Sequence, residues 1–225
     1  MSADIGAGHP GGHPGGAPGG GAHAGFQRQY AGGAAPWDIG RAQPEIVALE
    51  ATGVLGPVVI DVGCGTGENA LFLASHGYSV TGIDAVPEAI EAARAKARDR
   101  GIRVEFIVGD VLEALPAIGM TSDAVTDVGF FHALTDEQRV TFINGLARVL
   151  ASGGHYAMLC FSDRVPGAFG PRRVSEAEIR AAFSGRPWNI LEIRPAELHS
   201  AVPRMPVVDA NFALIERRNR LVVPE

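Results

Sequence analysis

The stretch Val58-Val-Ile-Asp-Val-Gly-Cys-Gly-Thr-Gly-Glu-Asn69 runs an apolar strand into glycines at 63, 65 and 67 and then into a helix. Residues without side chains let a ligand approach the backbone closely, and a helix start offers free N–H donors. A dinucleotide fingerprint would carry Gly-x-Gly-x-x-Gly, and the position of its third glycine is held by Glu68. A carboxylate there is ill suited to cradling a pyrophosphate. A ligand with an amino-acid end and a positive sulfonium tolerates or uses nearby acids such as Asp61.

Asp84 closes a second apolar run, 23 positions after Asp61, where an α/β nucleotide site places the carboxylate that accepts hydrogen bonds from ribose hydroxyls. Asp110 closes a third run. Each aspartate alone reads as a loop-starting or helix-capping residue. Together with the glycine loop, at successive strand ends, they point to a ligand, because in an open parallel sheet those ends converge on one crevice. Cys64, at the glycine turn, is explained as a small residue fitting a tight turn, although a helix N-terminus can also lower a thiol's pKa.

The elements that must hold these residues follow from the hydropathy pattern. Val58–Val62, Ser79–Asp84, Val104–Val108, Ala124–Val128 and Tyr156–Phe161 are short runs rich in β-branched or aromatic residues, as strands buried on both faces should be. Between them, residues 69–76 carry Ala70, Leu71, Leu73 and Ala74 on one face, and residues 87–98 open with Pro87 and place Ala89, Ile90, Ala93 and Ala97 at helical spacing. Gly77 and Gly101 supply the stops. Thr135 with Gln138, and Ser175 with Glu178, have the capping-box spacing that predicts a helix after each. Residues 188–194 and 207–216 are strand-like runs joined by a proline-bearing connection of about a dozen residues, which predicts an antiparallel final pair.

With 225 residues, 46% hydrophobic, 20% charged and a net charge of −6, the chain reads as one soluble globular α/β domain. No run approaches the roughly 18 to 20 apolar residues of a membrane span, no secretory signal pattern opens the chain, and the mild acidity argues against a nucleic-acid partner. A cytoplasmic location is expected. Two cysteines, Cys64 and Cys160, exclude a disulfide framework and a four-thiolate zinc site. Ten of the 30 glycines fall in residues 1–25 with Pro10, Pro14, Pro18, His9, His13 and His23, a composition that predicts a disordered tail. A structured metal site on those histidines would have to order a glycine chain at about 1 to 2 kcal/mol per residue, so no metal is expected. The organisation is then a tail (1–25), a segment covering the site (26–43), the folded domain (44–217) and a short C-terminal tail (218–225).

The motifs Ile60-Asp-Val-Gly-Cys-Gly-Thr-Gly67, Val80-Thr-Gly-Ile-Asp84 and Val108-Gly-Asp110 resemble the successive cofactor motifs of class I S-adenosylmethionine-dependent methyltransferases. The likeness extends through Asp127-Val-Gly-Phe-Phe-His132 and Leu150-Ala-Ser-Gly-Gly154 and covers residues 36–217. Pro36-Trp-Asp-Ile-Gly-Arg41, Cys160-Phe-Ser-Asp163 and Gly170-Pro-Arg-Arg-Val174 resemble the small-molecule branch that includes thiopurine and thiol methyltransferases and tellurite-resistance proteins. The resemblance implies a Rossmann-like fold with a seven-stranded, mostly parallel sheet and one antiparallel strand in the C-terminal pair. It also implies that the Gly63, Gly65 and Gly67 loop packs against the methionine moiety, Asp84 holds the ribose hydroxyls, Asp110 meets the adenine amino group and Val111 touches the ring. Trp37, Asp61, Cys64, Ala85 and Asp127 complete the expected cofactor contacts. Where members of this branch often carry a serine after the fourth-strand aspartate, this chain has Val128.

Asp127 and His132 are the candidates for catalysis, because a carboxylate or imidazole beside the transferred methyl could take a proton from a thiol, hydroxyl or ring nitrogen. The alternative is that Asp127 shapes the loop and His132 lines the pocket, since methyl transfer to an ionised nucleophile needs alignment more than a base. Phe130 and Phe131 are read as pocket wall or core, Trp37 as a cover or an anchor, and Arg172 and Arg173 as solvated cations or as a greeting for an anionic substrate. The expected activity is methyl transfer from S-adenosyl-L-methionine, leaving S-adenosyl-L-homocysteine, to sulfur, nitrogen or oxygen of a small, aromatic or heterocyclic molecule by a monomer or homodimer. A nicotinamide-dependent oxidoreductase and a non-catalytic nucleotide-binding module are the rival readings of the same fold.

Overall fold

The computed structural model describes residues 35–167 and 170–218. The expected glycine-rich tail, with its alternative metal ligands, lies outside them. The described residues form seven strands: β1 (Val58–Val62), β2 (Ser79–Asp84), β3 (Glu105–Val108), β4 (Ser122–Val128), β5 (Leu150–Phe161), β6 (Trp188–His199) and β7 (Val207–Arg217). Helices α1 (Pro44–Glu50), α2 (Glu68–Ser75), α3 (Pro87–Arg100), α4 (Val111–Ala117), α5 (Asp136–Val149) and α6 (Glu176–Ala182) precede or connect them, with a 3₁₀ turn at Phe131–Ala133.

The sheet order is β3-β2-β1-β4-β5-β7-β6. The first five strands pair in parallel, and β7 runs antiparallel to both neighbours, as the resemblance implied. From β1 the chain builds outward through β2 and β3, then returns to lay β4 on the other side. The carboxyl ends of β1 and β4 therefore flank the switch point where an open α/β sheet leaves a crevice.

Both faces of the sheet's centre are covered, which is why β1 and the second half of β5 are near-continuous buried runs rather than alternating. Ile46 and Leu49 of α1, Leu71 and Leu73 of α2, and Ile90 and Ala93 of α3 pack with Val59, Ala124 and Leu159 on one face. Leu115 of α4, Phe142 and Leu146 of α5 and Ile179 of α6 pack with Ile60, Val125 and Tyr156 on the other. Both capping boxes form, Thr135 and Ser175 each accepting a backbone N–H from the third helical residue. Gly101 ends α3 in the left-handed region, with φ 64°.

The structure departs from the sequence pattern mainly at the C-terminus. Strand β6 runs on to His199, through Pro195, and the connection shrinks to residues 200–206. β6 is an edge strand, where a proline's missing N–H breaks no ladder bond. Strand β5 starts at Leu150, because Leu150 pairs with Ser122 before the register shifts and pairing resumes at Ala124 with His155. Helices α1 and α4 have seven residues each, too few for a helical period to show in the sequence.

Gly67, the N-cap of α2, has φ 83°, and a Cβ there would lie 2.8 Å from Phe106 Cζ and 2.9 Å from Ala93 Cβ. Gly67→Ala combines backbone strain with overpacking and should lower the free energy of unfolding by about 2–4 kcal/mol, measured by denaturant titration. A variant as stable as the wild type would show that the loop tolerates a side chain at its closest approach to the sheet.

Candidate active site

The loop after β1 turns on glycines in a region closed to other residues: Gly63, Gly65 and Gly67 have φ of 62°, 53° and 83°. A Cβ on Gly63 would sit 3.2 Å from Phe130, so the loop passes tightly under the loop that follows β4. Asp84 ties it down. One carboxylate oxygen accepts the Gly65 N–H at 2.9 Å and the other accepts the Val86 N–H at 2.9 Å. Asp110 accepts the Leu112 N–H and caps α4, so the helix-capping role and a place in the site are held by one residue. Gly63, Asp84, Ala85, Asp110 and Val111 all line one cavity of about 1050 Å³.

Two of the predicted acids stand behind that wall. Asp61 is buried among the sheet residues; Oδ1 accepts the Thr126 hydroxyl at 2.8 Å, while Oδ2 has no hydrogen-bond partner among the described residues. Burial, with the neighbouring charges of Asp127 and Asp84, pushes its pKa up to about 7. Asp127 is also fully buried. It accepts the Phe130 N–H at 2.7 Å, the Phe131 N–H at 3.0 Å and the Tyr156 hydroxyl at 2.7 Å. Burial raises its pKa to about 7 as well, against the pull of those three donors. Neither Asp61 nor Asp127 lines the cavity. Asp127 holds the turn that presents the next residues, which is the loop-shaping alternative rather than contact with a substrate. Cys64 is likewise buried, its thiol pushed well up by desolvation and by the charges of Asp61 and Asp84, so it acts as a small residue in a tight turn.

His132 lines the cavity from the 3₁₀ turn. Its Nδ1 accepts the Phe161 N–H at 3.0 Å, and its ring packs edge-on against Phe161. Desolvation, with the charges of Arg139 and Arg173, holds the imidazole pKa down at about 3, so the ring is neutral at physiological pH. Phe130 lines the cavity, whereas Phe131 is buried behind it. Arg172 reaches the cavity mouth but is paired with Asp136 and Glu178; Arg173 turns toward the Val165 and Pro171 carbonyls.

Trp37 and Pro36 form part of the wall, and the chain around them is pinned at two ends. Pro36 O accepts the Ala201 N–H at 2.7 Å from the β6–β7 connection. Asp38 accepts the Thr66 hydroxyl at 2.6 Å from the glycine loop, and Lys96 bonds that hydroxyl in turn. Glu68 is directed into this network rather than toward the cavity, paired with Lys96 at 2.8 Å and with both terminal nitrogens of Arg100. The Glu68 carboxylate, which stands where a dinucleotide fingerprint has its third glycine, is thus neutralised by two cations and does not line the cavity. The sequence also did not point to Leu198, Val202, Met205 and Val208, which close the apolar end. The one available signal was the apolar character of a connection without helical period.

The residues fit S-adenosylmethionine. The loop at Gly63 is a cradle that a side chain would fill, and Asp84 and Asp110 line the same cavity, an acidic setting suited to a ligand that carries an ammonium and a sulfonium. Among the described residues, no group of histidines, cysteines and acids could hold a metal ion. Asp84→Ala should weaken S-adenosylhomocysteine binding by about ten- to a hundred-fold, or 1.5–3 kcal/mol, through the loss of a carboxylate that both anchors the loop and faces the ligand. Calorimetry giving an unchanged affinity would reduce Asp84 to a turn residue.

Comparison with known proteins bears on the same region. Residues 59–154 match the family model described as a methyltransferase domain. The chain is 35% identical over 185 residues to a 2-heptyl-1-hydroxyquinolin-4(1H)-one methyltransferase of Mycobacteroides abscessus, covering 78% of this chain and 81% of that one. A structure solved in work on the conversion of a disulfide bond into a thioacetal group during echinomycin biosynthesis is 32% identical, with a TM-score of 0.77, covering 87% of this chain and 92% of the other. TehB from Haemophilus influenzae shares the fold, at 23% identity and a TM-score of 0.63, over 78% of this chain and 62% of its own. No helix among the described residues is long and apolar enough to cross a membrane.

Proposed function

Since the chain belongs to the class I S-adenosylmethionine-dependent methyltransferases, acting on small molecules, we propose that it methylates oxygen, sulfur or nitrogen of a largely apolar aromatic or heterocyclic molecule. One observation carries this reading. One cavity of about 1050 Å³ is lined both by Gly63 with the acids Asp84 and Asp110 and by the apolar side chains of Leu134, Phe161, Leu198, Met205 and Val208, with Phe130 packed close to Gly63. A cavity of this size has room for a nucleoside cofactor and a small acceptor together.

When bound, S-adenosylmethionine supplies an electrophilic methyl whose bond to sulfur breaks with the electron pair retained by sulfur. The chain's own part is to place the acceptor. Trp37 and Pro36 close over the site, the 3₁₀ turn brings His132 and Phe130 to its centre, and the apolar end excludes water. The hydroxyquinolone relative supports a hydroxylated heterocycle with an alkyl substituent as acceptor, because Leu198, Met205 and Val208 offer that substituent a wall without a charge.

Incubating the protein with S-adenosylmethionine and 2-heptyl-1-hydroxyquinolin-4(1H)-one, an aromatic thiol or a ring amine should yield a product heavier by one methyl group with at least one acceptor. Absence of product from all three classes, with calorimetric binding of a nicotinamide dinucleotide instead, would reject the reading. Met205→Ala should raise KM for the heptyl acceptor by about three- to thirtyfold with kcat nearly kept, and leave an acceptor lacking the chain little affected. Equal effects on both acceptors would place the substituent elsewhere.

A further inference from the structure

The hydrogen bonding of His132 runs against the expectation of a general base. A neutral imidazole has one bare ring nitrogen and one N–H. The bare position is occupied: Nδ1 accepts the backbone N–H of Phe161 at 3.0 Å, inside the protein. The proton must then reside on Nε2. That nitrogen has no hydrogen-bond partner among the described residues, although the side chain is only 7% exposed. It lies 3.3 Å from the point where a Cβ would stand on Gly129, another residue of the cavity wall, so glycine at 129 keeps its approach open. An N–H without a partner among the described residues, on a largely buried side chain lining a cavity, is a donor open to a ligand atom.

The surroundings favour negative charge at that atom. Arg139 is buried, lies over the Phe131 ring at 4.5 Å, and leaves one guanidinium nitrogen without a hydrogen-bond partner among the described residues. Arg173 lies over the Phe161 ring at 5.9 Å, and Phe161 in turn packs on His132. The facing acids, Asp136 and Glu178, are already shared with Arg172 and Arg139. Asp127 is turned into the core, and the carboxylates of the cavity wall are engaged elsewhere: Asp84 by the Gly65 and Val86 N–H groups, Asp110 by the Leu112 N–H, Asp136 by Arg172 and Glu137 by the Thr135 hydroxyl.

We propose that His132 is a hydrogen-bond donor rather than a base: its Nε2–H holds the nucleophilic atom of an acceptor that enters as its anion, which selects acidic thiols, phenols and N-hydroxy or enolic heterocycles over amines and neutral alcohols. The proposal rests on the methyl-transfer reading above. It balances without a proton acceptor, because the anion forms the new bond to carbon with its own lone pair and has no proton to shed.

The test begins on the wild-type protein without ligand. Long-range proton–nitrogen spectra, assigned with His132→Gln, should show a neutral ring protonated on Nε2 and bare on Nδ1; the opposite tautomer would overturn the proposal. With S-adenosylhomocysteine present, 4-nitrophenol, whose colour reports its ionisation, should bind as the phenolate below its own pKa and shift the Nε2–H signal. Bound probe remaining neutral would count against the proposal.

In turnover with acceptors graded in acidity, His132→Leu should lose about ten- to a hundredfold with ionised acceptors, and His132→Gln, which keeps a donor, should recover much of that. A defect in His132→Leu that vanishes for ionised acceptors and grows for basic ones would restore the general base. If the wild type methylates no acceptor while the ring spectrum and phenolate binding stand as described, the functional reading fails and the donor assignment survives.

Discussion

The carboxylate of Asp84 is the contact on which the rest of the site depends. It stands at the end of β2 and accepts backbone N–H groups from the glycine loop after β1 and from the turn that starts α3. Two segments that face the same cavity are thereby held by one buried charge, and the donors that satisfy it are main-chain groups that cannot rotate away. The loop needs such an anchor. Three residues with positive φ give it a shape that no side-chain packing of its own would maintain.

A similar arrangement holds the turn after β4. Asp127 ends β4 and binds the next turn through the Phe130 and Phe131 N–H groups, while Tyr156 of β5 donates to it from the neighbouring strand. The result is a turn fixed to the sheet on which His132 is carried, its own Nδ1 tethered to β5 through Phe161 N. An imidazole held at its backbone turn and at one ring nitrogen presents the other nitrogen in a fixed direction, and such preorganisation is how a site avoids reorganising as charge moves. The two carboxylates that looked most like catalytic or cofactor groups near β1 and β4, Asp61 and Asp127, are instead drawn into the scaffold on opposite faces of the sheet, one bonded to Thr126 and one to Tyr156.

The cover over the cavity is assembled from distant parts of the chain. Pro36 and Asp38 bond to the β6–β7 connection and to the glycine loop respectively, and Lys96 links the latter contact to Glu68. Partly buried ion pairs of this kind contribute less energy than they do register: they define where a short irregular segment lies. That register places Trp37 in the same cavity wall as the apolar residues of the β6–β7 connection, so the wall is built from residues more than 160 positions apart.

Much of the molecule was legible in the residues. Apolar runs of strand length alternating with helical periods required a parallel sheet, because β-branched runs flanked by amphipathic helices can bury both faces in no simpler way. Glycines at 63, 65 and 67 with Asp84 and Asp110 marked the crevice, since glycine spacing and acids at strand ends are local features that survive any packing. Capping boxes at Thr135 and Ser175 were local too. What the linear order did not contain was direction and pairing. Whether Asp127 faces ligand or Tyr156, whether Glu68 meets a phosphate or Arg100, and which nitrogen of His132 keeps its proton depend on partners 29 to 32 residues away. The apolar end of the cavity was hidden for the same reason. Leu198, Met205 and Val208 form a wall only when β7 inserts between β5 and β6 and turns their connection over Trp37, and a contact of that kind is fixed by the sheet's register rather than by any pattern along the chain.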